Sequence, residues 1–173
     1  KGLRYDFSVL YRRKTSNVKM YVEMVSEKGE LIGSGIFIPG ETGEGWHKGE
    51  MNFMATATDA KAKLNIWFEG SGELDIDMLS LFPGDTWKGR KGGLRADMVQ
   101  MLADFKPGFI RFPGGCIVEG RELSTRYQWK KTIGPVADRK LIISRWNNEI
   151  TGRHAPDYFQ TFGLGFFEYF QLS

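Results

Sequence analysis

Between residues 3 and 81, large apolar side chains fall on every second position in five separate runs. That period of two puts them on one face of a strand and excludes a helix through the same stretch. The runs are Leu3, Tyr5, Phe7, Val9 and Tyr11, then Val18, Met20, Val22 and Met24, then Met51, Phe53, Ala55 and Ala57. Ala62, Leu64, Ile66 and Phe68 follow, and Leu74, Ile76 and Met78 close the series. Turn-forming residues lie between them: Lys28-Gly29, Pro39-Gly40, Thr42-Gly43-Glu44-Gly45, Thr58-Asp59 and Gly70-Ser71-Gly72. Short strands with one buried face each and no helical pattern between them predict an antiparallel, jelly-roll-like β-sandwich over residues 1–83. Trp46 follows a glycine-rich turn and is expected to open a strand. Trp67, between Ile66 and Phe68, should lie on the face opposite the core, freely exposed.

The pattern changes after Pro83. Leu94, Met98, Met101, Leu102 and Phe105 are spaced as one stripe of a helix over 94–105, which Lys106-Pro107 ends. Residues 108–112 read as a short strand, broken at Pro113-Gly114-Gly115, and the run from Gly165 reads as the opening of another helix. Helix, strand, long loop and helix are the grammar of parallel βα units, so the fold class is mixed, with the second piece at 84–173. A single strand cannot close such a sheet, so this piece is expected to be incomplete.

Composition narrows the function classes. Apolar residues make up 41% and charged residues 26%, the balance of a chain able to bury a core. No apolar run approaches the ~20 residues of a membrane helix, so no membrane partner is expected. One cysteine, Cys116, excludes an internal disulfide framework and a multi-cysteine metal site. Asp75 and Asp77 alternate with core positions, but two carboxylates do not make a calcium site, and no metal is expected. The formal charge of +3 is modest. In the densest basic stretch, 121–131, Tyr127 and Trp129 interleave with Arg126, Lys130 and Lys131. That would suit a single-stranded nucleic acid, but no nucleic-acid module surrounds it, and no such partner is expected.

In residues 108–112, Phe109 and Arg111 share one face and Ile110 and Phe112 the other. A guanidinium is never neutral, and burying one unpaired costs several kcal/mol, so Arg111 calls for a carboxylate partner. No Asp or Glu of the preceding helix points that way. The rigid Pro113 and the two glycines after it allow a sharp turn and close approach to a ligand. Taken alone, they also describe an ordinary loop.

Wider strings add to this: Gly-Leu-Arg-Ala-Asp at 93–97, Arg-Phe-Pro-Gly-Gly-Cys-Ile-Val-Glu-Gly at 111–120, Tyr-Gln-Trp-Lys at 127–130 and Ile-Gly-Pro-Val at 133–136. Together they resemble glycoside hydrolase family 51, mainly retaining α-L-arabinofuranosidases. The resemblance runs from about Tyr5 onward and is most specific in the second half. It implies a carbohydrate-binding-like sandwich inserted ahead of the second strand of a (β/α)₈ barrel. Residues 74–83 would be the return into that barrel and 108–112 its second strand.

The resemblance also implies an activity, release of terminal arabinofuranosyl residues from plant polysaccharides or oligosaccharides. Two glutamates at the ends of barrel strands four and seven would do the chemistry, with no cofactor. Neither catalytic glutamate is expected among these residues. By the same analogy Arg111 matches an arginine that hydrogen-bonds the nucleophile, the alternative being a structural ion pair. Gly114, Gly115 and Cys116 would line the arabinose subsite, where relatives often carry Asn in place of the cysteine. Otherwise Cys116 is a small apolar filler. Glu119 would orient the loop or be merely solvated, and Trp146 would either face the sugar or pack a core. Asn148-Glu149 imitates the family's acid/base pair but falls two strands too early, and His154 lacks a partner.

In the sandwich, Trp67 is the candidate sugar-stacking ring. An incomplete barrel would leave apolar helix faces uncovered, which predicts self-association. The alternative to an enzyme is a non-catalytic carbohydrate-binding module with flanking sequence. The compartment stays open, a secreted or periplasmic one being favoured by a polysaccharide-degrading parent.

Overall fold

The computed structural model describes residues 1–40, 43–147 and 159–173. The chain divides into two compact units, Lys1–Met101 and Leu102–Ser173.

The first unit is built from six strands: β1 (Arg4–Ser16), β2 (Lys19–Val25), β3 (Leu31–Phe37), β4 (His47–Met54), β5 (Lys63–Glu69) and β6 (Gly72–Pro83). They form two three-stranded antiparallel sheets, ordered β4-β1-β6 and β3-β2-β5. The alternation read from the sequence is what the sheets use, except in β5, where Ile66 alone packs on the core and Leu64 and Phe68 are 42% and 47% exposed. Phe7, Val9, Met20, Val22, Met24, Ile32 and Phe53 form the core between them, with Phe7, Val9, Met20 and Val22 no more than 1% exposed. Burying one such side chain contributes roughly 1.5–3 kcal/mol, so this cluster is the principal source of the unit's stability.

Three further features of this unit depart from the pattern. The first is β3, whose sequence Leu-Ile-Gly-Ser-Gly-Ile-Phe carries no clean alternation. Gly33 and Gly35 pair with Met24 and Val22 and so face inward. A Cβ on Gly33 would stand 2.9 Å from the Phe53 ring, and one on Gly35 would stand 2.8 Å from the Met51 methyl. Bulk from β4 fills the space where β3 lacks side chains. The second is a β-bulge in β6, where the register with β1 shifts between Ser8 and Leu10. Met78 adopts φ 49° there and is 42% exposed, so the alternation slips and Leu81, not Met78, continues the core after Leu74 and Ile76. The third is Trp46. It does not enter a strand but lies just before β4, 47% exposed, with the Arg12 guanidinium 5.3 Å from its ring centroid.

Two helices were expected beyond Pro83. The helix α1 (Ala96–Asp104) starts later than the apolar pattern, because Arg95 is bridged to Thr86 and the Leu94 carbonyl accepts the Trp87 amide. It buries Val99 and exposes the expected stripe, Met98, Met101 and Leu102 being at least half exposed and Phe105 81% exposed. The helix α3 (Phe166–Leu172) forms where the sequence places it.

Residues 108–112 form no strand. A strand needs a neighbour for its hydrogen-bond ladder, and no sheet among the described residues offers these residues one. In their place the second unit has the single turn α2 (Cys116–Glu119), short 3₁₀ turns and an antiparallel pair of β7 (Ile142–Ile143) with β8 (Phe159–Gln160). Among the described residues no helix is long and apolar enough to cross a membrane.

Candidate functional site

The second unit is organised around a buried arginine and an aromatic cluster. Arg139 has a side chain only 3% exposed and forms a two-pronged ion pair with Glu168, at 2.7 and 3.0 Å. Its remaining donors reach the carbonyls of Gly134 and Phe162. Glu168 is the third residue of α3 and also accepts the Gly165 amide at 2.7 Å, as a capping box does. Burial pushes the Glu168 carboxyl up, but hydrogen bonds from Arg139 and the Gly165 amide more than offset this and hold it below its ordinary value.

Beside this pair, the fully buried Thr132 hydroxyl donates to the Trp129 carbonyl and accepts the Phe166 amide. Phe112 stacks on Tyr169 at 3.6 Å, and Tyr127 meets both Phe112 and Phe162 edge-on. Tyr127 is therefore spent on this cluster and is not presented with the basic residues around it. Arg139, Glu168 and Thr132 did not stand out in the sequence. Gly165 followed three residues later by Glu168 was the only legible sign, since nothing local marks a buried arginine.

On this frame the loop after Phe112 is shaped. The Phe112–Pro113 peptide bond is cis, and Gly114 and Gly115 adopt φ 107° and 53°, conformations that glycine tolerates and other residues largely avoid. Arg111 lies at the surface, and its Nε is 3.9 Å from where a Cβ on Gly114 would be, so the guanidinium folds over the glycine turn. It makes no hydrogen bond or ion pair with any described residue. The free Cys116 opens α2 and is half-buried. Glu119 closes that turn and accepts a 2.6 Å bond from Arg145 Nη1. This bond ties α2 to the 3₁₀ turn Arg145–Asn147, whose middle residue, Trp146, is 40% exposed. Arg111, Gly114, Gly115, Cys116 and Glu119 thus belong to one continuous loop, and Glu119 links it to the turn that carries Trp146.

Chemically, this loop offers an exposed cation on a tight glycine turn. Glu119 and Glu168 are each ion-paired with an arginine. Asn148, Glu149 and His154 lie outside the described residues. No cluster of three or more His, Cys, Asp or Glu that could hold a metal occurs among the described residues. In the first unit Asp75 is taken up by Arg12 at 2.6 Å and Asp77 by the Met78 amide. A cleft of about 640 Å³ opens there, lined by Tyr5, Met24, Ile32, Ala55, Leu64 and Leu81 among others, and includes none of the predicted site residues.

Comparison with known proteins bears directly on this loop. The family model described as Alpha-L-arabinofuranosidase 1 domain matches residues 101–173, a span that nearly coincides with the second unit. Over 99% of its length the chain is 38% identical to Alpha-L-arabinofuranosidase 1 of Arabidopsis thaliana. The chain belongs to the family 51 α-L-arabinofuranosidases. An extracellular exo-α-L-arabinofuranosidase of Streptomyces chartreusis is 35% identical, again over 99% of the chain. The solved structure of arabinose-bound MgGH51 α-L-arabinofuranosidase superposes with a TM-score of 0.80 over 98% of the chain, at 29% identity. The chain spans about a quarter of the length of these proteins, 24%, 20% and 27% respectively. Its sandwich and its Arg111 loop therefore both fall inside the part shared with the family.

Proposed function

We propose that this chain is the substrate-pocket wall and sandwich of an enzyme that removes terminal arabinofuranosyl residues from plant polysaccharides or oligosaccharides. The observation that carries this reading is the likeness, over 98% of the chain, to an arabinofuranosidase with arabinose bound. The exposed Arg111 on the glycine turn, without a partner among the described residues, agrees with it. Residues 1–83 are the carbohydrate-binding-like sandwich and 84–173 the incomplete start of a (β/α)₈ barrel, whose sites gather at the C-terminal ends of the strands.

In this proposal the reaction retains configuration. Two carboxyl groups ~5–5.5 Å apart serve as nucleophile and acid/base, and both come from outside this chain. Arg111 donates a charge-assisted hydrogen bond to the nucleophilic carboxylate, keeping it ionised and aimed at the anomeric carbon. Gly114, Gly115 and Cys116 let the backbone approach the furanose ring. Trp146 offers it an apolar face, and Glu119, through Arg145, holds the turn carrying that ring in place.

The test is release of the aryl alcohol from an aryl α-L-arabinofuranoside, by the full-length enzyme and by this 173-residue chain. The full-length enzyme is expected to turn over and the chain to show none. Turnover by the chain that is lost in Glu149→Gln would mean that Asn148-Glu149 is the acid/base after all.

A further inference from the structure

The two outer faces of the sandwich are unlike. On the β4-β1-β6 sheet the outward polar groups pair with each other, Glu50 with Lys48 and Lys91, Arg12 with Asp75, and Ser8 with Ser80, while the exposed Met54 and Phe82 stand opposite Arg4 and Asp6 and have no ring stacked on them among the described residues. On the β3-β2-β5 sheet, Ile36, Tyr21 and Trp67 stand directly opposite one another and form one apolar row across three strands. The next row on that face is Ser34, Glu23 and Asn65, and on the other side of the apolar row Lys19 stands opposite Glu69.

The Tyr21 and Trp67 rings are parallel to within 3°, with centroids 3.7 Å apart. The Tyr21 hydroxyl donates to Glu69, which fixes the phenol ring and through the stack the indole. That hydrogen bond is also the main reason the phenol is raised above its ordinary pKa. β5 is the edge of its sheet, so no strand lies beyond Trp67. The indole is 43% exposed, and among the described residues no ring or cation covers the face turned away from Tyr21.

We propose that this face is an accessory subsite for a neutral polysaccharide chain. Trp67 takes the C–H face of a sugar ring, while Asn65, Glu23 and Glu69 take its hydroxyls. Three physical points select that ligand. A sugar ring is apolar on its faces and hydrogen-bonding at its edge, and here a pre-stacked ring stands among amide and carboxylate side chains. Alternate residues on a strand are ~6.6–6.8 Å apart, so the amide of Asn65 is within one sugar ring's reach of the indole. The face carries Lys19, Lys63, Glu23 and Glu69, two charges of each sign, which favours neither a polyanion such as nucleic acid nor a polyuronate.

The stack is also immobilised before binding, so little side-chain entropy remains to be lost. A second grip on a polymer raises the local concentration of its side branches at a hydrolytic pocket. This inference rests on the proposed function for the substrate class alone.

The experiment is affinity electrophoresis of this chain in gels containing arabinoxylan, branched arabinan or polygalacturonate. Retardation by arabinoxylan or arabinan is expected, with Trp67→Ala binding about tenfold or more weakly. Trp46→Ala, which removes an equally exposed tryptophan from the other side of the sandwich, should bind as wild type. If Trp67→Ala does not fold, as judged by its thermal transition, Asn65→Ala carries the same test and should bind several-fold more weakly. Absence of retardation, retardation only by polygalacturonate, or unchanged binding in a folded Trp67→Ala would overturn the proposal. The assay reads binding and not turnover, so an inactive parent enzyme would leave its outcome untouched.

Discussion

Two carboxylates with depressed pKa values show how burial decides what an ion pair is worth. Glu50, bonded first by Lys48 and then by Lys91, is pulled down to about 2, yet its side chain is 41% exposed. Solvent screening makes such a pair a small contributor to stability. Glu168 faces an arginine that is 3% exposed, and removing its charge would strand that guanidinium among carbonyls. Glu168→Ala is therefore expected to destabilise the second unit by about 3–5 kcal/mol, read as lost hydrogen-exchange protection in α3. The pH dependence follows the sign of the shift. A carboxyl held below its ordinary value contributes stability that is full above that value, ~4.3 for glutamate, and is lost as pH falls through the folded pKa. An acid titration of α3 protection should show a step below about pH 4 in wild type that is absent in Glu168→Gln. Arg111 is the reverse case, a surface guanidinium with no partner among the described residues. In the full-length enzyme Arg111→Ala should lower kcat by about 10- to 100-fold, the worth of a charge-assisted hydrogen bond of ~1.5–3 kcal/mol, while leaving the melting temperature nearly unchanged. Near-normal kcat in a folded variant would remove Arg111 from the site. The sequence singled out Arg111 as a cation in an apolar alternation, but residues 108–112 form no strand and the side chain lies exposed, so the carboxylate partner that burial would have required is not called for. Arg139 was not singled out, because its partner lies 29 residues away, a distance no local pattern spans.

At the scale of elements, the strands that obey alternation were legible and β3 was not. Its inward positions are glycines whose missing volume is supplied by Phe53 and Met51 across the core, a fact about two sheets and not about one strand. This yields a prediction that runs against β propensity. Valine is a better strand former than glycine, yet Gly33→Val should destabilise the chain by about 1–3 kcal/mol in urea, because its Cβ meets the Phe53 ring and the Met54 carbonyl. An equal or raised urea midpoint would show that the core at Phe53 can yield. The bulge at Met78 was likewise illegible, since only the pairing with β1 reveals where the register slips. In α1 the spacing of the apolar residues predicted a helix correctly but not which side is covered: Val99 is buried and the stripe around it is open.

For the whole molecule, the exposed apolar side chains matter most. Phe105 and Phe109 are about four-fifths exposed, at 81% and 80%, and Phe170, Met101 and Phe167 are 69%, 66% and 54% exposed. Side chains of this size gain roughly 1.5–3 kcal/mol each on burial, so faces of this kind drive association when no covering element is present. Sedimentation velocity of the chain should show concentration-dependent oligomers. Replacing Phe105 and Phe109 together by serine should shift the distribution towards monomer. A wild-type chain that stays monomeric up to about 100 μM, where contacts of this strength are populated, would contradict this expectation.

The sequence alone determined the sandwich, the helix-forming segments and the family, because alternation, helical spacing and the Arg-Phe-Pro-Gly-Gly-Cys string are local properties readable along the chain. Tertiary structure alone decided that Gly33 and Gly35 make room for β4, that Met78 leaves the core at a bulge, that residues 108–112 have no partner strand among the described residues, that Glu168 closes on Arg139, and that Tyr21 and Trp67 become one stack. Each of these depends on which distant residue arrives opposite, and a one-dimensional pattern carries no information about its partner across the fold.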